Sequence, residues 1–260
     1  MFRSLATAAS GMEAQQTKLD VTANNIANVS TNGFKRGRAE FADLMYQQIR
    51  PAGSATGAGT EAPSPTEIGL GTKLTSTTRD NSQGELTQTG NQLDVAIQGH
   101  GYFQVTMPDG STAYTRNGAL QLSSTGQLVT TDGYPVGSIT IPADAQNVTI
   151  AATGQVTVTV PNEAQPVSVG TLDIATFANP GGLAAAGGTL FKETSASGNA
   201  IVGAPGASGA GTLSQGALES SNVNVVQEMI DLISGQRAYE VNSRVIKADD
   251  EMLSDVAQLH

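Results

Sequence analysis

The chain has 260 residues, room for one large domain or two or three small ones around a sizeable core. Thirteen Lys and Arg against 23 Asp and Glu give a net charge of −10, which argues against a general nucleic-acid binder, since that needs clustered cations. The absence of Cys removes disulfides, thiolate metal sites and Cys nucleophiles from consideration.

Residues 1 to about 29 read as a helix, interrupted only by Gly11, a residue that allows close approach of a neighbouring backbone. Along it Leu5, Met12, Leu19 and Ile26 recur every seventh position, with Ala8, Gln15, Thr22 and Val29 as companions. Its beginning, MFRSLATAASGMEAQQ, has no continuous apolar run and reads as a poor secretory signal, so a chain leaving the cytoplasm would not do so through a cleaved signal of the usual kind. Asn32-Gly33 is a turn or C-cap signal, because both residues tolerate the left-handed conformation. Arg38 to Ile49 reads as a shorter helical or extended piece. Residues 51–66, PAGSATGAGTEAPSPT, have the composition of a flexible linker that a partner surface could order.

From about Leu74 to Lys192, short alternating runs separated by Gly, Asp and Pro turns predict an all-β region. Leu93–Ile97 and Gly101–Val105 flank a Gly-His-Gly turn, while Asp109-Gly110 and Asp132-Gly133 mark hairpins. Ser195 to Gly211 is a second Gly/Ala/Ser-rich connector. Glu219-Ser220-Ser221-Asn222 offers N-cap candidates for a long final helix over 223–259, on the order of 55 Å in length. There Val225, Leu232, Tyr239, Ile246 and Leu253 form a second heptad row, with Glu228, Gly235, Asn242, Asp249 and Val256 as companions. About one strong apolar residue per heptad is half of what a self-sufficient dimer carries, so these helices are designed for several neighbours.

The expected fold is therefore α+β: long N- and C-terminal helices forming a coiled coil, an inserted connector region and an all-β central domain. The expected division is 1–33 with 221–260, 34–73 with 206–220, and 74–205. No run of 18 apolar residues exists, so a membrane-spanning helix is not expected.

No constellation of nucleophile, base and orienting group stands out, and no catalytic, metal or cofactor-binding residue is singled out. His100 between two glycines reads as a turn residue, and His260 is terminal. Asp249-Asp250-Glu251 reads as a solvated helix face, since consecutive helical positions diverge. Lys35, Arg36 and Arg38 likewise read as a solvated charge group. Gly69-Leu70-Gly71 and Gly99-His100-Gly101 do not continue into a phosphate-binding loop.

Three longer motifs carry a resemblance. Leu19 to Asn28 (LDVTANNIAN) precedes Thr31-Asn32-Gly33-Phe34-Lys35. Ser82-Gln83-Gly84-Glu85-Leu86 leads through Asp94–Ile97 to Gly101-Tyr102-Phe103 and Tyr114–Gly118. Ser221–Asn224 is followed by Gln236–Ser243. In this order, over nearly the whole chain, they resemble the bacterial flagellar axial proteins, the rod and hook family. The motif positions are Asn25, Asn28, Gly33, Phe34, Gly84, Asp94, Gly101, Gln236, Arg237 and Asn242. Ala119-Leu120 departs from the family, where relatives carry an aromatic.

The resemblance implies a structural subunit rather than an enzyme, without cofactors, exported unfolded through the flagellar type III apparatus. It implies a helical homo-oligomer whose terminal helices line a narrow channel while the β domain faces outward. Other rod proteins and the hook protein would adjoin its ends, and a ring bushing would surround it where the rod crosses the periplasm. The lead Tyr46–Pro51 into the Gly/Ala/Ser/Pro run resembles an extra segment that sets one rod member apart from the hook. The nine residues of the two heptad rows are the expected self-assembly interface. Another axial subunit of the same family, or a secreted β-domain adhesin, are the alternatives.

Overall fold

A computed structural model describes residues 2–57, 60–161, 165–207 and 209–258. The chain sorts into two compact units, residues 1–26, 37–78 and 224–260 in one, and 27–36 with 79–223 in the other.

The first unit holds helix α1, Phe2–Ala27, and helix α2, Val225–Gln258. α1 stops at Ala27, two residues before the expected end. The chain turns there through Thr31 N–H to the Asn28 carbonyl at 3.1 Å, and Gly33 takes a φ of +70° that a side chain would resist. α2 starts at Val225 because Asn224 caps it: Asn224 Oδ1 accepts from the backbone N–H of Val226 at 3.1 Å and of Gln227 at 3.2 Å. The cap candidates upstream are engaged otherwise, Glu219 in an ion pair and Asn222 by Arg36 N–H at 2.7 Å.

Between the helices, the strands Gly37–Asp43 and Thr72–Arg79 pair with each other. Arg38 to Ile49 is thus extended, not helical, apart from a short break before Tyr46. The linker-like run is also structured. Tyr46–Arg50 pairs antiparallel with Thr66–Gly69, and nearer the tip Ala55 faces Glu61 and Gly57 faces Thr60. The Pro- and Gly-rich composition forms a long hairpin here; residues 58 and 59 of the run lie outside the described residues.

The second unit is a β body with antiparallel ladders. Its main sheet runs Leu120–Leu122, Gln127–Thr130, Pro135–Thr140, Tyr102–Thr106, Thr112–Thr115, Leu190–Lys192, Ala184–Gly187. Ile174–Thr176 branches from it, pairing with both Tyr102–Thr106 and Ile201–Gly203. The second expected connector therefore contributes a strand. A three-stranded sheet, Asn147–Ile150, Gln155–Thr159 and Val167–Thr171, stands beside it. Residues of 206–220, expected to join 34–73, pair within this body: Thr212–Gln215 with Val95–Gln98, and Ala217–Glu219 with Leu86–Gln88.

The Asp-Gly pairs fall where hairpin chemistry puts them: Gly110 at φ +79° ends the ladder in which Thr112 faces Thr106, and Gly133 at +84° turns Val129 towards Pro135. Alternate strand residues then point inward. Val95, Ile97, Phe103, Val105, Leu120, Leu128, Val136, Ile139, Leu172 and Ile174 make one dry core. Leu120, one of the two residues expected to depart from the family pattern, is buried in that core. A second cluster joins Tyr102, Tyr114, Leu183 and Phe191, with Tyr114 edge-on to Phe177 at 4.8 Å between ring centroids. Each fully buried large side chain is worth about 1.5–3 kcal/mol, so this body has an ample core of its own.

Candidate assembly surface

The helix pair meets through polar and small residues. Opposite Asn242, a Cβ on Gly11 would lie 2.9 Å from the Asn242 amide nitrogen, and one on Gly235 would lie 3.0 Å from Leu19 Cδ2. Asn25 Nδ2 donates to Glu228 Oε2 at 3.1 Å, and Lys18 stands 4.0 Å from Asp231. These pairs run in opposite directions along the two helices, so α1 and α2 are antiparallel. Their inner faces are Ala8, Ala14, Thr22 and Asn25 on α1 and Glu228, Gly235 and Asp249 on α2, all buried. Asp249 leaves the solvated triplet expected of it: Asp250 and Glu251 are exposed, but Asp249 is buried and its Oδ2 has no hydrogen-bond partner among the described residues. The inner face is thus the companion row, Glu228, Gly235, Asn242 and Asp249, seven residues apart.

The nine heptad residues divide. Leu5, Met12, Leu19 and Ile26 on α1, and Leu232, Ile246 and Leu253 on α2, are half-buried, Leu19 where it lies over Gly235. Val225 and Tyr239 are exposed. The largest apolar exposure lies on residues the heptad reading passed over: Val226 (67%), Met229, Ile230 (55%) and Ile233, with Val241, Val245 and Met252 further along. Val226, Ile230 and Ile233 follow the i, i+4, i+7 rule of one helix face, and that spacing was the available signal. α1 shows the reverse: its exposed residues include Ala6, Ala9, Glu13, Gln16, Asp20, Ala23 and Ala27.

A second bare surface is the hairpin. Every residue of Tyr46–Arg50 and Thr66–Gly69 is exposed, and Met45 (85%), Tyr46, Ile49 (57%) and Ile68 add apolar area. A two-stranded ribbon without cover is marginal in water. Exposed apolar side chains on an uncovered ribbon make it a candidate interaction surface.

The motif residues divide between the units. Asn25 spans a strand start as well as Glu228: its amide donates to the Gly37 carbonyl at 2.9 Å and its carbonyl accepts from Gly37 N–H at 2.8 Å. Asn28 holds the post-helix turn with Thr31. Gly33 lies so close to Arg116 that a Cβ would stand 2.7 Å from the Arg116 carbonyl carbon. Phe34, half-buried, continues this segment into Lys35. Gly84 faces the Ser220 carbonyl with no space for a side chain. Asp94 accepts from Thr89 Oγ1 at 2.6 Å and Asn91 at 3.0 Å, closing a loop. Gly101, at φ +143°, offers its carbonyl to Arg116 at 2.6 Å. Gln236 and Arg237 are exposed on α2.

Several of these converge on a group that sequence reasoning missed. Glu219, fully buried, accepts from Lys35 Nζ at 2.6 Å, Arg116 Nε at 2.7 Å and Gly84 N–H at 2.9 Å. Lys35 is therefore not part of a solvated cluster with Arg36 and exposed Arg38; its amine is sealed in and also donates to the Ser82 carbonyl at 2.7 Å. Burial pushes Glu219 upward, but the Arg116 charge and the Lys35 hydrogen bond outweigh it and hold the carboxyl below its ordinary range. No local pattern announces a partner 184 residues away.

Three family models and full-length relatives match the chain. Residues 5–35 match the flagella basal body rod protein family, residues 96–158 the D1 domain of the flagellar hook protein FlgE/F/G, and residues 214–259 the flagellar basal body rod FlgEFG protein C-terminal family. The flagellar basal-body rod protein FlgG of Agrobacterium fabrum is 50% identical over 259 residues, covering 99% of each chain. That of Buchnera aphidicola from Acyrthosiphon pisum is 47% identical over 260 residues, all of both chains, and that of Bacillus subtilis 43% over 265 residues, 100% of this chain and 99% of the relative. With the terminal helices, the β body and the full length all matched, the chain belongs to the flagellar basal-body rod protein family, as a structural subunit of the basal body.

Proposed function

We propose that the chain builds the distal part of the rod as a straight, hollow helical homopolymer that carries motor torque to the hook, working as a building block rather than an enzyme. α1 and α2 form the channel-lining, polymerising element, and the half-buried heptad residues become fully covered when copies assemble. The observation that carries this reading is the bare apolar face of α2, Val226, Ile230 and Ile233, in a unit whose own helix contact is polar. A repeated heterologous contact whose rotation does not close on itself generates an open helical filament. Other rod proteins and the hook protein adjoin the ends, a ring bushing surrounds the shaft, and the flagellar export apparatus delivers the unfolded chain across to the periplasm.

The hairpin of residues 46–69 locks adjacent copies and stiffens the shaft, since its exposed Met45, Tyr46, Ile49 and Ile68 need cover. Deleting residues 51–66 is expected to leave secretion intact and to give bent or soft filaments in electron micrographs. Rods of unchanged straightness and stiffness would overturn this role for the hairpin.

A further inference from the structure

The outward faces of the two helices differ in charge as well as in size. On α1, Glu13 and Asp20 are exposed, seven residues and so about 10.5 Å apart. On α2, Arg237 and Arg244 are exposed at the same spacing. Arg244 stands 3.8 Å from Glu240 on its own helix, but both side chains are largely exposed (78% and 66%), and a contact of that kind is weak and easily exchanged. No ion pair of Glu13, Asp20 or Arg237 occurs among the described residues. Two acids on one helix and two bases on the other, at one common repeat, are complementary without being able to meet inside a single copy, because the inner faces of α1 and α2 already meet each other.

A filament built from heterologous contacts repeats one orientation of its subunit. α1 and α2 run antiparallel within a copy, so where they lie along the filament axis α1 also runs antiparallel to α2 of the next copy. In that arrangement one register pairs both charges at once. It also sets Ile230 against Ala27 and Ile233 beside Ala23, so large side chains of one helix lie on small ones of the other.

We propose, building on the polymer reading above, that an antiparallel contact between α1 of one copy and α2 of a second copy fixes the subunit register, with Asp20 on Arg237 and Glu13 on Arg244 and the Ile230–Ile233 turn seated on Ala23 and Ala27. The apolar turn supplies the attraction, and the charges select the register: a slip by one helical turn sets Arg237 against Gln16 or Asn24 and leaves the acids unpaired. Opposite charges placed this way steer association and penalise wrong pairings more than they add raw affinity.

The test is charge reversal and its rescue on the full chain. Asp20→Arg and Arg237→Asp, made separately, are expected to raise the protein concentration needed for polymer by roughly tenfold or more, and the two together to return it close to the wild-type value. Glu13→Lys and Arg244→Glu are expected to repeat the pattern. Pelleting assays and electron microscopy read the polymer, and a urea midpoint of the β body shows that each variant folds. Because the chain has no Cys, Asp20→Cys with Arg237→Cys provides a separate readout. Oxidation of assembled material should yield covalent multimers, whereas Asp20→Cys with Met252→Cys should not.

Single reversals that assemble like the wild type, a joint variant worse than either single one, or paired cysteines that stay monomeric would each overturn the register. A wild-type chain that forms no polymer would instead remove the polymer reading, and this contact with it.

Discussion

The β body and the helical unit solve opposite problems. The β body closes on itself: Phe103, Ile97, Leu128 and their neighbours are sealed from solvent, and its deepest charge, Glu219, has two cationic partners. The helical unit turns polar residues inward, leaves one Asp249 oxygen without a partner and shows Val226, Ile230 and Ile233 to solvent. The first is packed around a core of its own; the second leaves apolar side chains uncovered, which the proposed polymer would bury. Substitutions should therefore separate cleanly into those that alter folding and those that alter assembly.

The largest effect should come from the unfinished side. Ile230→Asp is expected to abolish polymer in pelleting assays while the urea midpoint of the β body stays where it was; a shifted midpoint would blur the contrast between the units. Next, Glu219→Gln leaves Lys35 and Arg116 facing each other without their anion, and the β body should lose about 3–5 kcal/mol in urea unfolding. The same carboxylate predicts a pH response. Its folded pKa lies below the ordinary range, so its contribution is fully present above about pH 4.3 and is lost as pH falls through the depressed folded value. In the Glu219→Gln variant this part of the acid response should be absent, which a series of urea midpoints against pH would reveal. Smallest of all, Lys18→Ala removes a partly exposed contact to Asp231 at 4.0 Å and should cost under about 1 kcal/mol in helical stability by circular dichroism.

The fold was largely legible because its strongest signals are local. The helices are written in apolar and small residues at helical spacing, and the β body in alternating runs punctuated by Asp109-Gly110 and Asp132-Gly133. The misreadings share one cause, the absence of long-range information in a local pattern. Lys35 beside Arg36 and Arg38 looks like any solvated cluster until Glu219 arrives from the far end of the chain. Residues 51–66 look like a linker because backbone pairing, which forms the hairpin, leaves little trace in composition. On α2 the regular seven-residue row runs through Val225, Leu232 and Tyr239, while the more exposed stripe is Val226, Ile230 and Ile233. Which stripe of a helix is free depends on what already covers the others, and here Gly11, Gln15 and Leu19 of α1 cover the Gly235–Asn242 stripe.

The clamp at Glu219 has a mechanical consequence. The chain first passes through the β body at residues 27–36 and leaves it last at residue 223, and near these two points Lys35 and Glu219 are ion-paired at 2.6 Å. Gly33 N–H is bonded to the Glu219 carbonyl at 2.8 Å, so entry and exit lie side by side. A load applied through both tails is then borne across this short rung and not along the strands beyond it. The sheets hang from the clamp like a pendant from its clasp: they can be jolted, but tension in the cord does not pull them open.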